Sequence, residues 1–182
     1  MKKLLGVDLG LTGFYTMIEI DNNKNFTVLL SSSIEIENRS EKVLKKGNSE
    51  PIIKNQISFL KNREKISKII DKDTVCLFEQ ITTRNENSKI TSMSLSDSSA
   101  VFRCLCESLN INYFIIPPAN WKKFIGVTSD KKTSLEYFRN KINSNEIKIN
   151  DDFKVSLKKL NHNMVESVLI CYFYFLSNIK NK

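Results

Sequence analysis

No apolar run in this sequence reaches the roughly 18–20 residues needed to cross a bilayer. The longest one, residues 165–176, is too short and ends in a polar tail. The Met1-Lys2-Lys3 opening leads into a strand pattern, with no cleavable signal pattern behind it. A cytoplasmic protein is expected. Histidine occurs once, at His162, and none of the four cysteines, Cys76, Cys104, Cys106 and Cys171, forms a CxxC pair or has a suitably spaced histidine. This argues against structural zinc. Buried thiols acting as small hydrophobes in a reducing compartment explain the cysteines instead. No internal repeat is visible either.

What is present describes an ordinary globule. A 41% hydrophobic share beside 26% charged residues is too apolar for a disordered tail. A length of 182 residues fits one domain, spanning 1–182, with a sizeable core. The net charge of +8, from 28 basic and 20 acidic residues, points to a polyanionic partner, because neutralising phosphates releases counterions and gives sequence-independent affinity. Nucleic acid is the first expectation. A lysine- and asparagine-rich composition inherited from an AT-rich genome would explain part of the same charge.

Alternation and β-branched content predict strands over residues 3–9, 13–20 and 26–33, with Asp21-Asn22-Asn23-Lys24-Asn25 as the turn between the last two. Residues 34–49 turn polar and read as a surface loop. Pro51 then suits the first turn of a helix running to about Ile70. A short apolar strand over 74–78 ends in Glu79-Gln80, followed by a polar loop over 82–88 and a helical pattern over 92–109. Residues 111–116 form another strand, stopped by Pro117-Pro118. A short helical turn over 120–125 follows, then a helix capped by Ser129 or Asp130 that reaches about Ile142. Residues 143–159 read as loop with partial helix, and 162–176 as a strongly apolar helix. The order predicts an α/β fold, a mixed five-stranded sheet with three antiparallel strands then two parallel ones, flanked by helices.

Three acids stand out against this background. Asp8 lies in the otherwise apolar Leu4-Leu5-Gly6-Val7-Asp8-Leu9-Gly10, Glu79 ends an apolar strand, and Glu166 sits between Val165 and Val168. An unpaired carboxylate in a core costs several kcal/mol, so such acids usually meet a cation. Carboxylates from several rigid elements can hold two hard cations that activate water and stabilise the leaving oxygen of a phosphodiester. Helical spacing puts His162 and Asn163 on the Glu166 face, so either could complete such a site.

The same pieces, in order, carry a resemblance. Gly6-Val7-Asp8-Leu9-Gly10 with Thr12-Gly13, Phe78-Glu79-Gln80, the helix opening at 92–100, Pro117-Pro118-Ala119-Asn120-Trp121-Lys122-Lys123, Gly126, Asp130-Lys131-Lys132 and His162-Asn163-Met164-Val165-Glu166-Ser167 run over nearly the whole chain. Together they resemble the RuvC family of Holliday junction resolvases, within the RNase H-like or retroviral-integrase superfamily, and look most like its phage and prophage branch. The resemblance implies an RNase H-like fold and a homodimer that nicks four-way DNA junctions in pairs, leaving 5′-phosphates. It also implies two Mg2+ ions, replaceable by Mn2+, on Asp8, Glu79 and Glu166. Asn163 stands where that family has a further acid, and His162 is one residue off the register in which some relatives carry histidine. A bacterial cytoplasm, with a phage or prophage origin, is the implied setting.

Arg84 and Lys89, after the strand-ending glutamate, would face DNA on this reading, as would Lys122 and Lys123 and the pair Lys131 and Lys132 at a helix start. Solvated surface explains each of these lysines and the arginine equally simply, and Trp121 reads first as a packing anchor. Other functions fit part of the sequence. Asp8 to Gly13 also resembles the phosphate loop of actin-like and sugar kinases, but those proteins need two such domains around a cleft. A junction-binding protein without catalysis is compatible with Asn163, and a nuclease on structured RNA is compatible with the superfamily.

Overall fold

The computed structural model describes residues 1–45, 48–81, 89–157 and 160–180, with the side chains of 41–45, 48–53, 89–93 and 156 left out. Strands β1 (Lys2–Asp8), β2 (Phe14–Ile20) and β3 (Phe26–Ser33) form an antiparallel meander. Its second turn is held by Asp21, whose carboxylate accepts from the Asn25 backbone and side-chain amides at 2.8 and 2.7 Å.

The chain next departs from the expected loop and long helix. The chain instead forms a hairpin of β4 (Ile36–Lys45) and β5 (Asn48–Ile57), paired from Ile36↔Ile57 to Lys45↔Asn48. Only then does helix α1 (Phe59–Ser67) begin. In α1 Leu60 is 75% exposed and Ile66 is buried, while Ile57 is buried with Ile34 at the hairpin root. Pro51 does not open a helix; it lies in β5, and in a two-stranded ribbon every strand is an edge, where proline is tolerated.

Strand β6 (Val75–Glu79) pairs parallel to β1, helix α2 (Lys89–Ser108) crosses over, and β7 (Asn112–Ile116) pairs parallel to β6. Helix α3 (Pro118–Ile125) starts two residues before the expected turn, with Pro118 in its first turn, and Gly126 ends it at φ 78° in the left-handed region. Helix α4 (Lys131–Asn143) has Asp130 as its cap, as expected. The following stretch supplies β8 (Lys148–Ile149) and α5 (Asp151–Ser156), and the chain closes through α6 (His162–Phe175) into a π-helical turn, Leu176–Lys180. The five expected strands are present, and β8 corrects the count to six by pairing parallel to β3 at Thr27 and Val28, giving the order β7-β6-β1-β2-β3-β8. Among the described residues no helix is long and apolar enough to cross a membrane.

Two apolar layers sandwich this sheet. On one side Leu4, Ile18, Val28, Val75 and Leu77 pack beneath α3, α4 and α6, where Trp121, Phe138 and Leu169 are fully buried. On the other side Leu5, Val7, Met17, Cys76 and Phe78 pack beneath α1 and α2, against Ile66, Phe102 and Leu105. Side chains alternate along a strand, so Asp8 shares the α6 face with Leu4, and Glu79 shares it with Val75 and Leu77.

Candidate active site

Strand parity and register place the first two acids side by side. Val7 pairs with Phe78 across the parallel β1–β6 ladder, so Asp8 and Glu79 end adjacent strands about 4.8 Å apart, on one face. The third acid comes from α6, and glycine decides how near it can come. A Cβ on Gly6 would lie 1.9 Å from the Ser167 carbonyl oxygen and 2.7 Å from Cys171 Sγ, so only glycine lets α6 rest on the middle of β1. A buried 2.6 Å hydrogen bond between the Thr16 and Ser167 hydroxyls fixes the helix against β2. Glu166, next to Ser167, is thereby delivered to the sheet end carrying Asp8 and Glu79.

Glu166 is 5% exposed, and two nitrogen-bearing side chains share its Oε1. Lys122 Nζ lies at 2.8 Å and His162 Nε2 at 3.0 Å. The lysine contact is a close ion pair, and the histidine contact becomes one when the ring is protonated, although neither aligns as a full hydrogen bond to that oxygen. Burial pushes the Glu166 carboxyl up, but the contacts with His162 and Lys122 outweigh it, and its pKa is lowered. The Glu166 contact in turn raises His162. Among the described residues no cation lies as close to Asp8: burial, then repulsion from Glu166 and Glu79, push it up to about 7 against the weaker opposing charges of His162 and Lys122. Burial also raises Glu79, against the opposing charge of Lys122. The Trp121 indole N–H opposes that rise too, although it makes no hydrogen bond of full geometry.

Asn163 faces a different neighbour. Its Nδ2 donates to the Thr12 carbonyl at 2.8 Å and to Thr12 Oγ1 at 3.2 Å, while His162 Nδ1 stands 3.4 Å from its Oδ1. It therefore ties α6 to the Gly10–Gly13 turn, in which Gly10 adopts φ 145°. A cleft of about 390 Å³ opens here, lined by Thr12, Phe14, Ser33, Lys131, His162 and Asn163 among others, so α4 brings Lys131 to the same end of the sheet.

The remaining cations separate by position. Lys122, expected beside Lys123 as a phosphate contact, turns inward to Glu166 and lies 5.0 Å from the Trp121 ring centre, whereas Lys123 is exposed. Lys131 and Lys132 are exposed on the first turn of α4, but Asp130 Oδ1 already accepts from the Lys132 amide at 3.0 Å. Charge rather than free amides is what this helix start offers an anion. Arg84 lies outside the described residues, as does the side chain of Lys89. Trp121 is fully buried, the packing anchor expected of it. The pairing of Lys122 with Glu166 was not legible in the sequence; the only signal was a lysine beside a buried tryptophan.

The donor set fits a hard divalent cation. Three carboxylates act on one another here beside Lys122 and His162, and burial, with repulsion from Glu166 and Glu79 added to it, raises Asp8. Among the described residues no three of His, Cys, Asp and Glu stand as a ready-made cage. Glu166 Oε1 must be released by Lys122 and His162 before it can join one.

Compared as a sequence, the chain matches no protein-family model and no curated relative. Compared as a structure, it is similar to the yeast mitochondrial Holliday junction resolvase Ydc2, at TM-score 0.62 and 12% identity over 96% of this chain and 79% of that one. It is also similar to Thermus thermophilus RuvC in complex with Holliday junction substrate, at TM-score 0.56 and 7% identity over 97% and 96% of the two chains. A further Thermus thermophilus RuvC structure gives TM-score 0.51 and 10% identity over 94% of each chain. With its mixed sheet, flanking helices and acid-bearing sheet end, the chain has the fold of the RuvC-like Holliday junction resolvases.

Proposed function

We propose that this chain is a divalent-metal-dependent endodeoxyribonuclease that resolves four-way DNA junctions by paired nicks, as a homodimer, leaving 5′-phosphates in recombination, repair or phage DNA processing. The observation that carries this reading is the convergence of Asp8, Glu79 and Glu166, from β1, β6 and α6, on one end of a resolvase-like sheet. These three would hold Mg2+ or Mn2+, with Asn163 or His162 as a further donor. When bound, such ions supply Lewis acidity and an activated water for phosphodiester hydrolysis. Lys122 and His162 keep Glu166 ionised despite its burial, and Trp121 anchors α3 so that Lys122 reaches it. Lys123, Lys131 and Lys132 present exposed positive charge to the DNA backbone, and the same role is proposed for Arg84 and Lys89. Four free thiols, three of them buried, accord with a reducing cytoplasm.

A second reading, a junction-binding protein without cleavage, is favoured by the occupied Glu166 oxygen and by Asn163 turned to Thr12. One assay separates the two. Labelled four-way junction, linear duplex and an RNA four-way substrate are incubated with Mg2+, Mn2+ or chelator. Symmetric metal-dependent nicking of the DNA junction, abolished by Asp8→Asn with binding retained, is expected. Binding without nicking under either metal establishes the second reading, and cleavage of the RNA substrate alone overturns the choice of DNA.

A further inference from the structure

The β4–β5 hairpin takes no part in the site described above, yet it rises beside it. Ser33, at the end of β3, pairs with Phe14, which pairs with Asp8, so the hairpin leaves the sheet two strand spacings, about 10 Å, from Asp8. Its root is locked. Asn62 of α1, fully buried, accepts from the Glu35 amide at 2.9 Å and donates to the carbonyls of Glu35 and Ser58 at 2.8 and 2.7 Å. Ser58 Oγ and Gln56 Nε2 both donate to the Glu37 carboxylate, at 2.7 and 3.1 Å. From this anchorage two ten-residue strands extend, with no third strand beside them among the described residues, a reach of roughly 30 Å. A ribbon of two strands is marginally stable in water, so one this long gains by lying against a partner.

Charge selects the partner. Residues 36–57 hold five basic residues against three acidic ones, an excess of positive charge. Arg39 and Lys54, both exposed, stand directly opposite each other in the ladder. We propose that the hairpin is a DNA-gripping arm that lies along the phosphate backbone of one duplex arm of the substrate while the neighbouring acids face the strand to be cut. The inference rests on the reading in Proposed function. Its content is a binding surface distinct from the acid site, for a phosphodiester backbone read without regard to sequence.

Two variants test it. In one, residues 39–54 are replaced by Asn-Gly, closing the ribbon just above its locked root. In the other, the full-length chain carries Arg39→Glu with Lys54→Glu, which decides the matter should the shortened chain fail to fold. Binding to a four-way junction and to linear duplex is titrated with chelator present across about 50–300 mM salt, beside molar mass in solution. Both variants should bind each DNA at least about tenfold more weakly at low salt. The double reversal should flatten the log K against log salt slope by about 2, since each lost phosphate contact removes about 0.9. Unchanged affinity and slope overturn the proposal. So does a fall from dimer to monomer with an unchanged slope, which would make the arm a contact between copies. If the unmodified chain shows no preference for the junction, the resolvase reading fails, while the slope on linear duplex still decides the arm.

Discussion

Asp8 keeps its proton to about pH 7 in the folded chain, whereas an ordinary aspartate loses it near 3.8. Between those values the folded state binds the proton that the unfolded state has released, so stability falls as pH rises through this window and the loss is complete above it. Asp8→Asn should therefore stabilise the metal-free protein at pH 8 by on the order of 2–4 kcal/mol, and much less at pH 4. Melting curves of both proteins in chelator at the two pH values check this, and an equal difference at both would refute the assignment. Divalent metal must displace the same proton, so its affinity for the unmodified chain should drop about tenfold per pH unit below 7. Lys122 gives a complementary prediction. Lys122→Met leaves Glu166 with His162 alone, and should cost about 1–3 kcal/mol in chelator while enlarging the rise in Tm on adding Mg2+. A Mg2+-induced shift equal to that of the unmodified protein would show that Lys122 does not compete for this oxygen.

Between elements, the contact of α6 with β1 sets the site. Gly6→Ala puts a methyl carbon against the Ser167 carbonyl, a backbone atom that cannot swing aside. Overpacking of this kind costs about 1–3 kcal/mol. Because Glu166 adjoins Ser167, nicking should fall by tenfold or more at temperatures where the variant is still folded, a mismatch visible by setting denaturant midpoints beside single-turnover rates. Strands β1 to β3 were legible to within a residue, because alternation and the Asp21–Asn25 turn are local signals. The β4–β5 hairpin was not. It depends on pairs such as Ile36↔Ile57, twenty-one positions apart in sequence, and Ile57 also fits a helical stripe if its partner is unknown. The helix expected from Pro51 mistook a ribbon edge for a helix start.

A net charge of +8 accords with the proposed electrostatic hold on DNA, and on that proposal a two-fold symmetric junction calls for two copies of the site. Mass measurements on the junction complex in chelator should find two protomers per junction; a single protomer would dismiss the homodimer and, with it, simultaneous paired nicks. The sequence alone determined which acids stood in apolar surroundings and on which elements they fell, because burying a carboxylate is costly enough to mark it in any apolar run. Local periodicity likewise determined β1 to β3, β6, β7, α2, α4 and α6, but not β4, β5 or β8. Only the tertiary structure decided that Lys122 and His162 share one oxygen of Glu166, that Asn163 turns to Thr12, and that a locked hairpin stands beside the site. Those facts depend on distances between elements far apart in the chain, which follow from packing against Gly6 and Ile34 and leave no periodic trace in the residues themselves.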